Sequence, residues 1–466
     1  MGGMLSSLDQ SVISGVLLYM PEDLHLSMSQ VSLTNSAVPL GAIGGALILG
    51  PIKELVGRKM AIIISLILYT IGGALEAGAM DFGMIVGARV ILGMGLGLEG
   101  GTVPVYVAES GEKKYRGNLV SLYQFMIAFG EVIGYVVAAI FVNVPSGSWR
   151  YLLGSSLVFS TIMLVGMLFM PESPRMLLHK GRTLEAFAVW KRIRGLASAE
   201  DRKKFFFMHH TLDAEVHAAI VYANIMRTLG QLTGINAIMY YMSTLMSQIG
   251  FDKKQSVFMS LVGGGSLLLG TILGVFYMEK FGRPFWANTM LPCFFVGLIF
   301  VVVSYQLNSV AATEGMYLTG IILYNGFFGS YACLTWVLPS EVFPTYLRSD
   351  GMESTDVNLF FDSWLVTYFF SDMQRAMMKT GLTLGFYGGI AVLGWIYQLL
   401  FMPETKNKTL EEIDLIFSQP TSQLMRKNIR NVTRGMSDIA HFRFGKAFPP
   451  AEESHEVEQQ IEEVKA

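Results

Sequence analysis

Arg89, Glu99, Gln124 and Glu131 stand within two apolar runs, RVILGMGLGLEGG and NLVSLYQFMIAFGE, joined by a short charged turn. Soluble proteins rarely do this. If the runs cross a bilayer, each charged side chain there costs about 2.5–3.5 kcal/mol on insertion scales and reads as part of a solute or proton site. Glu131 lies seven residues, about two helical turns, after Gln124, so the two share a face. The competing reading is static: a sealed ion pair, or an amide that glues one helix to another. Catalysis is not suggested. No nucleophile–base arrangement, metal-ligand spacing or phosphate loop is present, and His209-His210 lies in a polar link as a solvated pair. Cys293 and Cys333 both fall in apolar runs, which argues against a disulfide framework or a cysteine metal site. The expectation is a protein that is not an enzyme and needs no metal or cofactor beyond a proton gradient.

The elements that must position these residues are legible from composition. Of 466 residues 52% are hydrophobic and 15% charged, 49 are glycine, and the mean hydropathy is +0.46. That excludes an ordinary soluble protein and a disordered one, and abundant glycine suits close helix packing in a membrane. Roughly 20 apolar residues cross a bilayer core, and twelve such runs centre near residues 12, 40, 70, 95, 130, 160, 230, 267, 296, 326, 361 and 391. Lys53, Arg58, Lys59, Lys113, Lys114 and Arg116 occupy alternate links, which the positive-inside rule puts in the cytoplasm with both termini. The link from 175 falls on the same side, with nine basic residues between Arg175 and Lys204, and divides the spans six and six.

The expected organisation is therefore an N-terminal half at 1–174, a basic helical linker at 175–215, a C-terminal half at 216–403 and a largely disordered cytoplasmic tail at 404–466. The first run is short, with Asp9 close to Met1, which predicts a start that lies upstream; no cleavable signal peptide precedes it. Met1-Gly2 formally opens a myristoylation signal, but the glycine lies in or beside a span and is expected to stay unmodified.

The halves repeat each other. Glu109, Arg116 and Pro171-Glu172 recur as Glu341, Arg348 and Pro403-Glu404 with one common displacement, and Glu54-Leu55-Val56-Gly57-Arg58 recurs as Glu279-Lys280-Phe281-Gly282-Arg283. Two six-helix halves with matching charged motifs describe a transporter that rocks one half against the other. Topology signals alone would need only Lys or Arg, so the paired acids ask for a further role.

These residues resemble the sugar porter family of the major facilitator superfamily. Gly50-Pro51-Ile52-Lys53-Glu54-Leu55-Val56-Gly57-Arg58-Lys59 is similar to its loop between helices two and three, with Glu54 for the usual Asp and Leu55 for the usual Arg. Arg89 with Gly93, Gly95 and Gly97 resembles its helix-four motif. Pro104 to Glu109 with Arg116-Gly117, Pro171 to Arg175, Gln231 to Ala237 with Tyr240 and Tyr241, Trp336 with Glu341 to Pro344, and Pro403 to Lys406 complete the set over nearly the whole chain.

The resemblance implies an all-α membrane protein of the major facilitator fold, twelve transmembrane helices in two pseudo-symmetric halves. It implies that Arg58, Glu109, Arg116, Glu172, Arg175, Arg283, Glu341, Arg348 and Glu404 form a cytoplasmic salt-bridge latch between the halves. It implies solute contacts from Gln124, Gln231, Asn236, Tyr240 and Trp336, amides pairing with hydroxyls and the indole covering an apolar sugar face. Asp9 and Arg89 match the family's proton-coupling pair, which favours symport.

Three departures complicate a hexose substrate: Gly230 replaces a glutamine, Leu267 an asparagine and Phe328 a polar group of the family pattern. Glu131, where a neutral residue is common, adds a second proton site or a solute ligand. Glu76, Glu99, Asp356 and Asp362 are further acids in spans, expected to be wet and structural near span ends. The expected function is proton symport of a monosaccharide, polyol or inositol-like solute by a monomer in the plasma membrane, with the bilayer as its other partner and no nucleic acid. An exporter of another organic solute and a non-transporting sugar sensor are the alternatives.

Overall fold

The computed structural model describes residues 2–49, 51–110, 116–144, 147–194, 217–343, 348–406 and 421–440, with Ile413 and Phe417. Among these the regular elements are helices. The first half comprises α1 (Gly2–Val16), α2 (Met28–Leu49), α3 (Arg58–Ala77), α4 (Phe82–Ser110), α5 (Arg116–Phe141) and α6 (Ser148–Leu168). The second repeats the plan with α7, in three pieces (His217–Gln231, Ile235–Tyr240, Met242–Ile249), then α8 (Lys253–Phe281), α9 (Arg283–Ser304), α10 (Val310–Val342), α11 (Arg348–Thr380) and α12 (Gly389–Phe401).

Nine described stretches are long and apolar enough to cross a membrane, the last running from Asp350 to Phe401. Met378, with φ of 57°, breaks that stretch, and a π-helical segment, Gly381–Gly388, leads into α12. With the 15-residue α1 and the broken α7, the described spans number twelve, as expected.

Small residues set the packing within each half. Gly41 and Gly45 of α2 meet Gly93 and Gly97 of α4 so closely that a methyl on any of them would strike a carbonyl oxygen, of Val90, Met94, Val38 and Ala42 respectively. The same seam recurs between α8 and α10, where Gly270 abuts the Gly326 carbonyl and Gly329 that of Leu267. Between helices in lipid, van der Waals contact replaces the hydrophobic drive, which rewards such approach. Gly97→Val should therefore lower stability by at least about 1–3 kcal/mol, the usual range for overpacking, read as a lower unfolding temperature in detergent. An unchanged melt would show that the seam can open without cost.

Two segments bear on the expected boundaries. Helices Pro174–His179 and Thr183–Arg194 follow α6, packed on each other through Leu177, Leu178, Ala186 and Trp190; residues 195–215 of the expected linker lie outside the described residues. In the tail a twenty-residue amphipathic helix, α13 (Thr421–Ala440), stands where little regular structure was expected. Asn428 fixes it, donating from Nδ2 to the Leu400 and Met402 carbonyls at 3.0 Å each, groups that the end of α12 leaves without helical partners. Residues 441–466 are outside the described set.

Candidate functional site

A cavity of about 120 Å³ lies between the halves, and all the expected solute contacts, Gln124, Glu131, Gln231, Asn236, Tyr240 and Trp336, line it. The break in α7 makes one wall. Gly234 takes φ of 88°, and its α-carbon comes so near the Tyr387 ring that a side chain has no room. The chain then restarts at Ile235, presenting Asn236 beside Gln231. Asn236 donates from Nδ2 to Gln231 Oε1 at 2.6 Å and to Ser363 Oγ at 2.9 Å, and accepts at Oδ1 from Gln10 Nε2 of α1 at 3.3 Å. A broken helix at the midplane is a frequent device for opening backbone and side-chain groups to a solute.

The facing wall comes from α5. Gln124 accepts at Oε1 from Trp336 Nε1 at 2.9 Å, a bond that crosses from one half to the other, while Tyr123 sits edge-on to the same indole at 4.6 Å. Glu131 lines the cavity, 2% exposed, and its Oε2 has no partner among the described residues. Tyr240 and Glu99 are also in the lining, and Glu99 Oε1 is likewise without a described partner. Leu267 and Phe328, two of the three departures, form an apolar part of the wall. Gly230, the third, is absent from the lining and leaves ordinary contact distance to Tyr331 and Thr335.

Asp9 and Arg89 are brought together behind this wall. Arg89 has 0% of its side chain exposed; its Nη2 lies 3.2 Å from Asp9 Oδ2 and its Nε donates to the Thr34 carbonyl at 2.8 Å. A third member was misread from sequence: Glu76 is sealed at the end of α3 rather than wet, with Oε1 2.5 Å from Arg89 Nη1. Glu99 and Asp356 are buried too, at 3% and 0% exposure, against the same expectation. Asp362, at 6% exposure, joins them.

The charged motifs sit at one end of the bundle, below called the motif end. Two of the expected latch's arginines, Arg58 and Arg283, have their described ion pairs within their own halves. Arg58 pairs with Glu54 at 2.9 Å and Glu109 at 3.7 Å inside the first half, and Arg283 with Glu279 at 2.7 Å and Glu341 at 2.8 Å inside the second. Gly57 and Gly282, at φ of 102° and 91°, turn each arginine back into its own half. Glu109 accepts from the Ser173 hydroxyl and Glu341 from Thr405 Oγ1 at 2.7 Å, while Glu172 and Glu404 accept from the backbone of Lys59 and Arg283.

Each set is thus a clamp on a loop. Among the described residues, a bridge between the halves at this end runs from Lys53 to Glu353 at 2.5 Å, which sequence reasoning missed. Gly117 of α5 also packs against Glu279 and Arg283 across the divide. The side chains of Arg116 and Arg348 lie outside the described residues, and Arg175 is a described residue of the first linker helix. At the opposite end the halves meet again, through Lys253 and Glu22 at 2.6 Å and Ser14 and Ser243 at 3.1 Å.

Two pseudo-symmetric bundles closed around a polar cavity define a secondary transporter working by alternating access. Comparison with known proteins agrees. The family model described as sugar (and other) transporter matches residues 2–417. The myo-inositol transporter FST1 of Gibberella moniliformis is 63% identical over 454 residues, covering 92% of this chain and 79% of that protein. The arabinose-proton symporter of Escherichia coli K12 is 28% identical over 434 residues, 88% and 90% of the two chains. Among solved structures, the proton:xylose symporter XylE bound to 6-bromo-6-deoxy-D-glucose superposes with a TM-score of 0.80 at 24% identity, over 89% and 97% of the chains, which shows a shared fold. The chain belongs to the sugar transporter family, and it is an integral, multi-pass membrane protein.

Proposed function

We propose that this transporter carries myo-inositol, or a polyol or monosaccharide of similar size, together with a proton. The observation that carries the reading is the cavity itself: carboxylates and amides ring a space for a hydroxyl-rich solute, and the Asp9–Arg89–Glu76 cluster lies directly behind Gln10 and Tyr240. Hydroxyls donate to the free oxygen of Glu131, and Trp336 covers an apolar face. The 63% identical relative, a myo-inositol transporter, supports the choice of solute, and the arabinose-proton symporter supports coupling. The basic links support a cytoplasmic motif end and cytoplasmic termini, and a nutrient solute suits the plasma membrane.

Purified protein in liposomes should exchange labelled myo-inositol in counterflow and accumulate it when the outside is acidic. Absence of exchange for myo-inositol and for a panel of polyols and hexoses would overturn this reading. Leu267 and Phe328 favour a second one, export of a less hydroxylated organic solute. Competition decides between them: an apolar metabolite that blocks counterflow more strongly than any polyol would transfer the assignment.

A further inference from the structure

A second buried arginine–carboxylate pair sits on the far side of the cavity wall, and neither the repeat nor the solute contacts account for it. Arg227 of α7 and Asp356 of α11 have 0% and 1% of their side chains exposed, with Arg227 Nη1 bonded to Asp356 Oδ1. Arg227 Nε donates to the Thr335 carbonyl at 3.0 Å, as Arg89 Nε does to Thr34 in the other half. Its guanidinium carbon lies 4.2 Å over the Trp336 ring, the indole that donates to Gln124 across the cavity. On the other side, Asp356 Oδ2 has no partner among the described residues and faces α4 of the opposite half, 3.1 Å from where a methyl on Gly101 would be. One turn earlier on the same helix face, Glu353 makes the bridge to Lys53.

A pair that only held α7, α10 and α11 together would be a poor choice, since apolar residues of like volume stabilise a buried position as well or better. This one runs from the solute site to the surface where the halves meet. We propose that Arg227 and Asp356 are positioning residues that couple occupancy of the cavity to closure at the motif end. Arg227 holds the Trp336 ring against Gln124. Asp356 holds α11 against Gly101 with Glu353 in reach of Lys53. A solute that takes over the Gln124–Trp336 bond shifts the indole, and the guanidinium stacked on it carries that shift to α11. The proposal rests on the transport reading above.

The test uses the full chain in liposomes with labelled myo-inositol, and three variants: Arg227→Lys, Asp356→Asn, and the double Arg227→Leu/Asp356→Leu, which leaves no unpaired charge. Counterflow gives KM and maximal rate; hydrogen–deuterium exchange of segments 98–110 and 350–362, with and without myo-inositol, reads the coupling. Allosteric couplings are commonly about 5–150-fold. The expected result is a maximal rate down by about tenfold in every variant, with KM within about threefold of wild type and the inositol-dependent change in exchange at 350–362 lost. The double variant should keep wild-type thermal stability, so the loss is not one of folding. Recovery of wild-type rate and exchange response in the double variant overturns the proposal, as do single variants indistinguishable from wild type. A wild-type protein that exchanges no polyol or hexose overturns the transport reading and this proposal with it; an active wild type with indifferent variants overturns the proposal alone.

Discussion

Asp9→Asn is expected to abolish proton-driven accumulation of solute while leaving labelled counterflow near the wild-type rate. Arg89 is sealed from solvent and shared by two acids, Asp9 at 3.2 Å and Glu76 at 2.5 Å, with its Nε committed to the Thr34 carbonyl. One guanidinium balances one carboxylate, so the cluster leaves a buried charge unbalanced unless an acid takes up a proton. A proton arriving at Asp9 frees α1 from α4, and α1 also carries Gln10, bonded to Asn236 in the solute wall. That is a direct mechanical route from proton to solute.

Asparagine keeps the shape and removes the titration, and the remaining Arg89–Glu76 pair keeps the arginine neutralised, so folding should survive. Arg89→Gln differs: it strands two acids and should cost about 3–5 kcal/mol with loss of all transport. Uptake under an imposed pH gradient, counterflow, and thermal unfolding of each variant check the pattern. Accumulation by Asp9→Asn at the wild-type level would end Asp9's role, and loss in Glu76→Gln alone would pass it to Glu76.

Sequence carried the twelve spans and the repeat, because each is written in local terms, apolar run length and motif register; the Asp9–Arg89 pair came from the family resemblance, since a charge inside a run does not name its partner. What it missed depends on how helices face each other. Glu76 sits two residues before Gly78 and looked like a wet span end; it is buried because α4 turns back directly and puts Arg89 beside it. Arg227 lies in the span centred near residue 230, where nothing local names a partner for it, and that partner is 129 residues away. The repeat set Arg58 and Arg283, and Glu109 and Glu341, at matching positions of the two halves, but register says nothing of which half an arginine turns towards; Arg58 turns to Glu109 and Arg283 to Glu341, each within its own half. The positive φ of Gly57 and Gly282 decides that. Lys53 and Glu353 stand outside the repeat altogether, as a bridge between unlike helices must. In the tail, the many charged and polar residues hid a helix that Asn428 ties to the end of α12.

Glu131→Gln is expected to raise KM for myo-inositol about tenfold to 100-fold while leaving the protein as stable as wild type or more so. The carboxylate is 2% exposed and lines the cavity, and its Oε2 meets no described partner. Burying such a group without a partner opposes folding, so nothing in the packing calls for it. A solute hydroxyl would be its first good donor, and hydrogen bonds to a charged group contribute about 1.5–3 kcal/mol, which sets the size of the expected change. Glutamine keeps one carbonyl oxygen but puts an NH2 donor where an acceptor was, so solutes that donate there should suffer most, and an analogue lacking that hydroxyl least. Stability and affinity moving in opposite directions mark a residue kept for function at the expense of the fold. Counterflow across a series of deoxy-inositols, alongside thermal unfolding, measures both. An unchanged KM for every solute would place Glu131 outside the binding site, and a lowered melting temperature would make it a structural group whose partner forms in another conformation.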